Sequence, residues 1–303
     1  MNEDIRTAAI RLYDRYTHEG MDRRRFMAEL TKLAGGTAAA SALLAGIAAD
    51  PAAAAVVPEG DPRLQTRIVE WELSPGRRMK GYGAAPAEAS TNLPMVIVIH
   101  ENRGLTEHIR DVARRVALAG FSALAPDFLS PVGGTPADQD AAREMIGKLD
   151  LGQTVNDGRL LIEWLRSPAG GGRKAGAMGF CWGGAMVNRL AVASGEALSA
   201  GVVFYGPAPS PSEAPKVAAP MLIHLAELDP RVNATALPWV EAVKAAGKDV
   251  TSIVYPGVNH AFHNDTSAER YDRAAAERAW STTVAFLSKH LGVPSEPVKG
   301  ERG

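Results

Sequence analysis

From residue 61 onwards the apolar residues fall into short runs separated by longer stretches of helical spacing. Arg67-Ile68-Val69-Glu70-Trp71-Glu72-Leu73 alternates polar with apolar, the pattern of a half-buried strand, and Met79-Lys80-Gly81-Tyr82 follows across the turn Ser74-Pro75-Gly76. The two predict an antiparallel edge. Met95-Val96-Ile97-Val98-Ile99 is an unbroken apolar run rich in β-branched residues, which suits a central parallel strand covered by helices on both faces. Further strands are predicted at 122–125, 175–179, 201–205, 221–225 and 251–255, with helices near 109–119, 141–149, 155–165, 185–193, 239–246 and 271–290. This alternation predicts an α/β fold: a doubly wound, mostly parallel sheet of about eight strands flanked by helices. The Pro/Ser-rich piece 207–220 reads as a loop between strands, because the β/α alternation resumes at once.

Residues 1–60 follow a different pattern and are set apart from the 61–303 body. Met21-Asp22-Arg23-Arg24-Arg25-Phe26-Met27 precedes an Ala/Gly-rich run at 33–49 and an alanine-rich stretch ending near Ala55. That is the order of parts in a twin-arginine export signal, and it predicts a periplasmic or secreted protein carried by that export machinery. The apolar run is short and weakly hydrophobic, so no stable membrane insertion is expected; a spanning helix needs about 20 strongly apolar residues. Residues 1–20 do not suit an export signal. They carry four acids against three arginines, and Ile5, Ala9, Leu12, Tyr13 and Tyr16 make a helical stripe. The alternatives are a translation start at Met21 or a retained helical arm, in a cytoplasmic protein, that packs on something.

Composition narrows the partners. Thirty-three Lys+Arg against thirty-four Asp+Glu leave a net charge of −1, without the basic footprint that nucleic-acid binding requires. The single cysteine, Cys181, can form neither an intramolecular disulfide nor a thiolate cluster for structural zinc.

That cysteine stands in Gly179-Phe180-Cys181-Trp182-Gly183-Gly184, between a predicted strand and a predicted helix. The arrangement has the form of a nucleophile elbow, with cysteine where serine is usual. Such a turn presents the thiol at a helix N-terminus, where the dipole favours thiolate. A nucleophile needs a base and a group to orient that base. Asp229 follows the 221–225 strand and His260 follows the 251–255 strand, in the order nucleophile, acid, histidine; Asp229 is preferred to Glu227 for its short side chain before Pro230. The loop after the central strand, His100-Glu101-Asn102-Arg103-Gly104, would supply one oxyanion-hole amide at Asn102, the other coming from Trp182. Glu101 then falls within reach of Cys181, either to act on the thiol or to pair with Arg103. His224, His260, His263 and Asp229 can also be read as a zinc set, although no recognisable metal-binding spacing joins them.

On the elbow, Asp229, His260 and Glu101 in this order, the region 65–292 resembles the dienelactone hydrolase family, the cysteine branch of the α/β-hydrolases. The resemblance implies Cys181 as nucleophile, His260 as base, Asp229 as its orienting acid, and Glu101 as the group keeping the resting thiol protonated. It implies hydrolysis of a lactone or small carboxylic ester through an acyl-thioester, with no metal and no organic cofactor; the free edges of a doubly wound sheet permit either a monomer or a homodimer. The family characteristically sets an arginine four residues after the catalytic histidine to grip a substrate carboxylate. This chain has Asn264 there, and a neutral amide cannot form a bidentate ion pair; Arg103 or Arg143 would have to replace it. The competing readings are a small-molecule binding or sensor protein on the same fold, and a C–C or peptide bond hydrolase using the same triad.

Overall fold

The computed structural model describes residues 3–48, 55–88 and 92–293. Eight strands form one sheet in the order β1-β2-β4-β3-β5-β6-β7-β8. They run β1 Leu64–Ser74, β2 Arg77–Pro86, β3 Met95–Ile99, β4 Ser122–Asp127, β5 Ala175–Phe180, β6 Ala200–Phe204, β7 Met221–Ala226 and β8 Val250–Tyr255. The β1/β2 ribbon and its junction with β4 are antiparallel, and every other neighbour is parallel. The strands reach further than their alternation suggested: β2 continues to Pro86, past the small residues Gly81, Gly83, Ala84 and Ala85.

The described helices are α1 Glu3–His18, α2 Arg23–Ala34, α3 Thr37–Ile47, α4 Glu107–Leu118, α5 Gln139–Gly147, α6 Leu151–Arg166, α7 Trp182–Ala193, α8 Pro230–Ala245 and α9 Arg273–Leu291. Helices α4 and α9 cover one face of the sheet around Val96, Val98, Phe180 and Phe204. Helices α6, α7 and α8 cover the other around Ile97, Ile99, Val203 and Ile223. Strands β4 to β7 are buried along their whole length, which is why they read as apolar runs without alternation. Helix α8 starts nine residues before the predicted 239, with the Asp229 carboxylate accepting from the Val232 N–H as its cap. Pro238 in its middle had hidden the first half.

Helices α1 to α3 form an arm with a core of its own, built from residues such as Ile10, Leu12, Tyr13, Phe26, Leu30 and Leu43. Tyr16 stacks on Phe26 with ring centroids 4.5 Å apart. The stripe at 5, 9, 12, 13 and 16 therefore faces α2 and α3. No single helix among the described residues is long and apolar enough to cross a membrane; α2 and α3 are bent by 110° at the break between them. Part of the alanine-rich stretch before Ala55, and the end of the 61–303 body beyond 293, lie outside the described residues.

Candidate active site

Strand β5 ends at Phe180, and Cys181 makes the turn into α7 with φ 54° and ψ −112°. A residue with a side chain is strained there, and such strain persists only where the surroundings over-determine it. The flanking glycines supply the constraint. A Cβ on Gly179 would stand 2.3 Å from the Gly183 carbonyl oxygen, and one on Gly183 would stand 2.3 Å from the Ile99 carbonyl oxygen. The turn thus packs backbone on backbone against β3 and presents the thiol at the mouth of α7. Trp182 is the first residue of that helix, so its N–H has no partner within the helix and faces the same end as the sulfur.

His260 and Asp229 meet as the chain order required. Asp229 Oδ2 lies 2.6 Å from His260 Nδ1, with both side chains buried. A carboxylate acceptor fixes the proton on Nδ1 and leaves Nε2 as the basic nitrogen. Burial works against the imidazolium, but the Asp229 carboxylate and the sulfur of Cys181 outweigh it and raise His260 to about 10. Burial also raises Asp229, yet His260 and Arg231 hold it below the usual carboxylate value. The raised value belongs to the state in which the sulfur is negative: an imidazolium at His260 goes with a thiolate at Cys181.

The sulfur's partner, however, comes from the arm. His18 Nε2 lies 3.1 Å from Cys181 Sγ, while the buried His260 Nε2 has no hydrogen-bond partner. The tautomer of His18 follows from its other nitrogen. Nδ1 sits 2.9 Å from the Asp14 carbonyl oxygen, which can only accept, and the Thr17 hydroxyl beside it is already donating to the Tyr13 carbonyl at 3.0 Å. Nδ1 therefore carries the proton. Burial, with His260 and Arg231 adding to it, keeps His18 well below the ordinary histidine value. The ring is neutral, and its Nε2 lone pair accepts the thiol S–H.

Glu101 lines the same pocket as Cys181, but among the described residues its hydrogen bond is to Asn264 and not to the thiol. Its Oε2 accepts from Asn264 Nδ2 at 2.9 Å, and Asn264 Oδ1 accepts from Thr266 at 2.6 Å. Asn264 is thus a brace for Glu101 behind the pocket wall. Where the family's arginine would reach for substrate, this chain has a buried amide spent on its own protein. Arg103 lines the pocket but does not pair with Glu101; it donates to Tyr13 Oη at 2.8 Å and to Asp140 at 3.3 Å. Arg143 donates to the Tyr16 carbonyl at 2.8 Å and lies over the Tyr16 ring, so it holds the arm. Asn102 is in the pocket as expected, and its side chain donates to the Thr17 carbonyl at 3.2 Å.

The zinc reading of the histidines fails on geometry. His224 is committed to Thr283 and Tyr255 at 3.0 Å each inside the core, and His263 packs among Phe180, Phe204 and Trp280. Among the described residues the group able to hold a metal is instead His18, Cys181 and His260, one donor atom from each, all within 4.8 Å of one another. His18 was not singled out from the sequence. It lies two residues past the apolar stripe in a segment without a local motif, and only the docking of α1 reveals it.

A mostly parallel sheet with a strained turn at Cys181 at the end of its central strands, facing the Asp229–His260 pair on the loops after β7 and β8, has the form of an α/β-hydrolase. The dienelactone hydrolase family model matches residues 79–291. Protein usf of Aquifex pyrophilus is 34% identical over 74% of this chain and 99% of its own. A protein named "Putative carboxymethylenebutenolidase" from Escherichia coli K12 is 30% identical over 82% of this chain and 96% of its own. Among solved structures, a protein named "Putative Dienelactone Hydrolase" from Klebsiella pneumoniae superposes with a TM-score of 0.66 at 28% identity, covering 74% of this chain and 99% of that one. An esterase from Pseudomonas putida shares the fold, with a TM-score of 0.62 at 15% identity over 96% of this chain and 98% of that one. The chain belongs to the dienelactone hydrolase family and is a carboxylic ester hydrolase.

Proposed function

We propose that the protein hydrolyses a small neutral lactone or ester through Cys181 and an acyl-thioester. The observation that carries this is the thiol at the strained elbow, facing the buried His260–Asp229 pair joined at 2.6 Å. The Cys181 proton passes to His260 Nε2, and the sulfur attacks the carbonyl carbon. The negative charge then forming on the carbonyl oxygen points to the Trp182 amide at the start of α7 and to the Asn102 amide on the loop after β3. His260 returns the proton to the leaving alkoxide, and the acyl group remains on sulfur. A water then enters, gives its proton to His260 and attacks the thioester; the C–S bond breaks, the acid leaves, and His260 returns the proton to the Cys181 sulfur.

The pocket argues for a neutral substrate. Its cations are Arg103 and Arg270. Arg103 is tied to Tyr13 and Asp140, while Arg270 donates to the Ile47 carbonyl at 3.0 Å and faces Asp14 at 3.9 Å. A substrate carboxylate would have to displace these partners and would meet Glu101 in the pocket lining. We also propose that the arm is retained in the working protein, because Tyr13, Thr17 and His18 form one wall of this pocket; export as a folded, uncleaved chain is compatible with that.

Turnover of an activated aryl ester, followed together with intact mass, tests these points. Wild type should show a mass that includes the arm and a transient acyl adduct, and Cys181→Ala should lose the adduct and on the order of 10³-fold or more in kcat/KM. Turnover by Cys181→Ala at the wild-type rate would remove the nucleophile assignment.

A further inference from the structure

Helix α1 ends on the active site. His18 is its last residue, and the imidazole stands edge-on to His260 with ring centroids 5.1 Å apart. Its Nε2 is the hydrogen-bond partner of the Cys181 sulfur, at 3.1 Å, while the buried His260 Nε2 makes no hydrogen bond of regular geometry, although it lies within 4.8 Å of the sulfur and is raised by it. In the docked arrangement, then, the thiol proton points to the arm and away from the base.

We propose that His18 is a positioning residue of the catalytic centre: docked with the arm, it accepts the Cys181 S–H and parks the nucleophile as a thiol until a substrate displaces the imidazole. The inference rests on the reading of Cys181 as nucleophile. An acceptor aimed at the sulfur stabilises the protonated form, because a lone pair facing a thiolate repels it. Displacing His18 frees the S–H, whose proton moves to His260 Nε2 to give a thiolate and an imidazolium, with nothing else consumed or formed. His18 thereby takes the guarding role that the family resemblance had given to Glu101, which is engaged with Asn264.

The way the arm is attached allows this displacement. Its apolar side chains are buried among themselves, and it meets the body near the site through polar contacts: Asn102 to the Thr17 carbonyl, Arg103 to Tyr13, and Arg143 to the Tyr16 carbonyl. Such contacts exchange with water at modest cost, whereas withdrawing apolar surface does not. The groups that act on His18 come from several elements: Asp14 on its own helix, His260 and Arg270 on the loops before α9, and Arg231 on α8; Glu101 and Arg103 on the loop after β3 line the same pocket.

Alkylation of the single thiol by iodoacetamide across pH reads this directly and needs no turnover. His18→Phe fills the space but cannot accept the S–H; His18→Ala removes the acceptor and opens the wall. The expected result is that the pH midpoint of alkylation falls by about one unit in both variants, roughly a tenfold faster reaction near neutral pH. The limiting rate at high pH should rise only in His18→Ala, as the effect of opening. A midpoint that is unchanged or raised in His18→Phe overturns the proposal. Hydrolysis by Cys181→Ala tests the underlying reading separately, so the two failures cannot be confused.

Discussion

The body and the arm are both helical layers over apolar cores, yet they are joined to the molecule in different ways. In the body, α4, α6, α7, α8 and α9 bury their apolar faces on the sheet, and β4 to β7 have no exposed residue. In the arm, the apolar faces of α1 to α3 turn on one another. What meets the body is charged or polar: Arg23 and Tyr16 on Asp140, Arg6 on Glu269, and Arg270 on the Ile47 carbonyl. The Cys181 turn and the Asp229–His260 pair therefore sit on a surface that cannot move without unfolding, and His18, the sulfur's hydrogen-bond partner, sits on one that can. Position in the body is fixed by burial, and position in the arm by contacts that water can replace.

Deleting one large side chain from each core is the strongest way to test that contrast. Trp239 is fully buried between α8 and the sheet, so Trp239→Ala should cost about 3–5 kcal/mol. For a body of this size that lowers Tm by on the order of 10 °C. Phe26 is as deeply buried, but in the arm core, among Tyr13 and Tyr16. Phe26→Ala should leave the main calorimetric transition within a few degrees of wild type while residues 3–47 become open to limited proteolysis. If both variants lower the same single transition equally, the arm is part of the body's cooperative unit and the contrast is wrong.

The sequence was most legible where structure is set by near neighbours. The β/α alternation, the Gly179-to-Gly184 turn and the spacing to Asp229 and His260 all follow from local patterns, because a parallel sheet delivers the loops after its strands to one edge. Long-range pairings were not legible. Glu101 had two chemically reasonable partners in the cysteine and Arg103, and packing chooses a third, Asn264. His18 lies 163 residues from Cys181, and nothing in a helix-terminal histidine reports which surface the helix will find. The stripe on α1 did show that the segment is a helix with something to bury. What it buries against is α2 and α3, and its polar edge, the one without a pattern, carries the contacts with the active site.

Acid separates the two regions next. His224 is enclosed between Tyr255 and Thr283, and burial lowers it to about 3. Between that value and the unfolded value near 6.5 the unfolded chain takes up a proton that the folded chain refuses. Stability from this site is thus present above about pH 6.5 and is lost at up to about 1.4 kcal/mol per pH unit as the pH falls towards 3. Burial likewise lowers His18, with the same sign, but there the proton has only to release the arm. Hydrogen exchange at pH 5 should therefore show α1 opening while β5 to β7 remain protected. Equal protection of α1 and the sheet at that pH would place the arm with the body.

The smallest effect should come from the periphery of the arm. Arg23 reaches Asp140 at 2.5 Å, but its side chain is 66% exposed, and a pair open to solvent is worth about 0–1 kcal/mol. Asp140 is also held by Tyr16 and Arg103, so Arg23→Ala leaves it satisfied. The substitution should raise proteolytic sensitivity of the arm no more than about fivefold in dilute buffer. Salt near 1 M shortens the screening length to about 3 Å, and there the difference between Arg23→Ala and wild type should vanish, while Phe26→Ala stays open at every salt concentration. A large, salt-independent effect of Arg23→Ala would mean that this arginine anchors the arm by packing as well as by charge, and that the surface between arm and body is less exchangeable than its polar contacts imply.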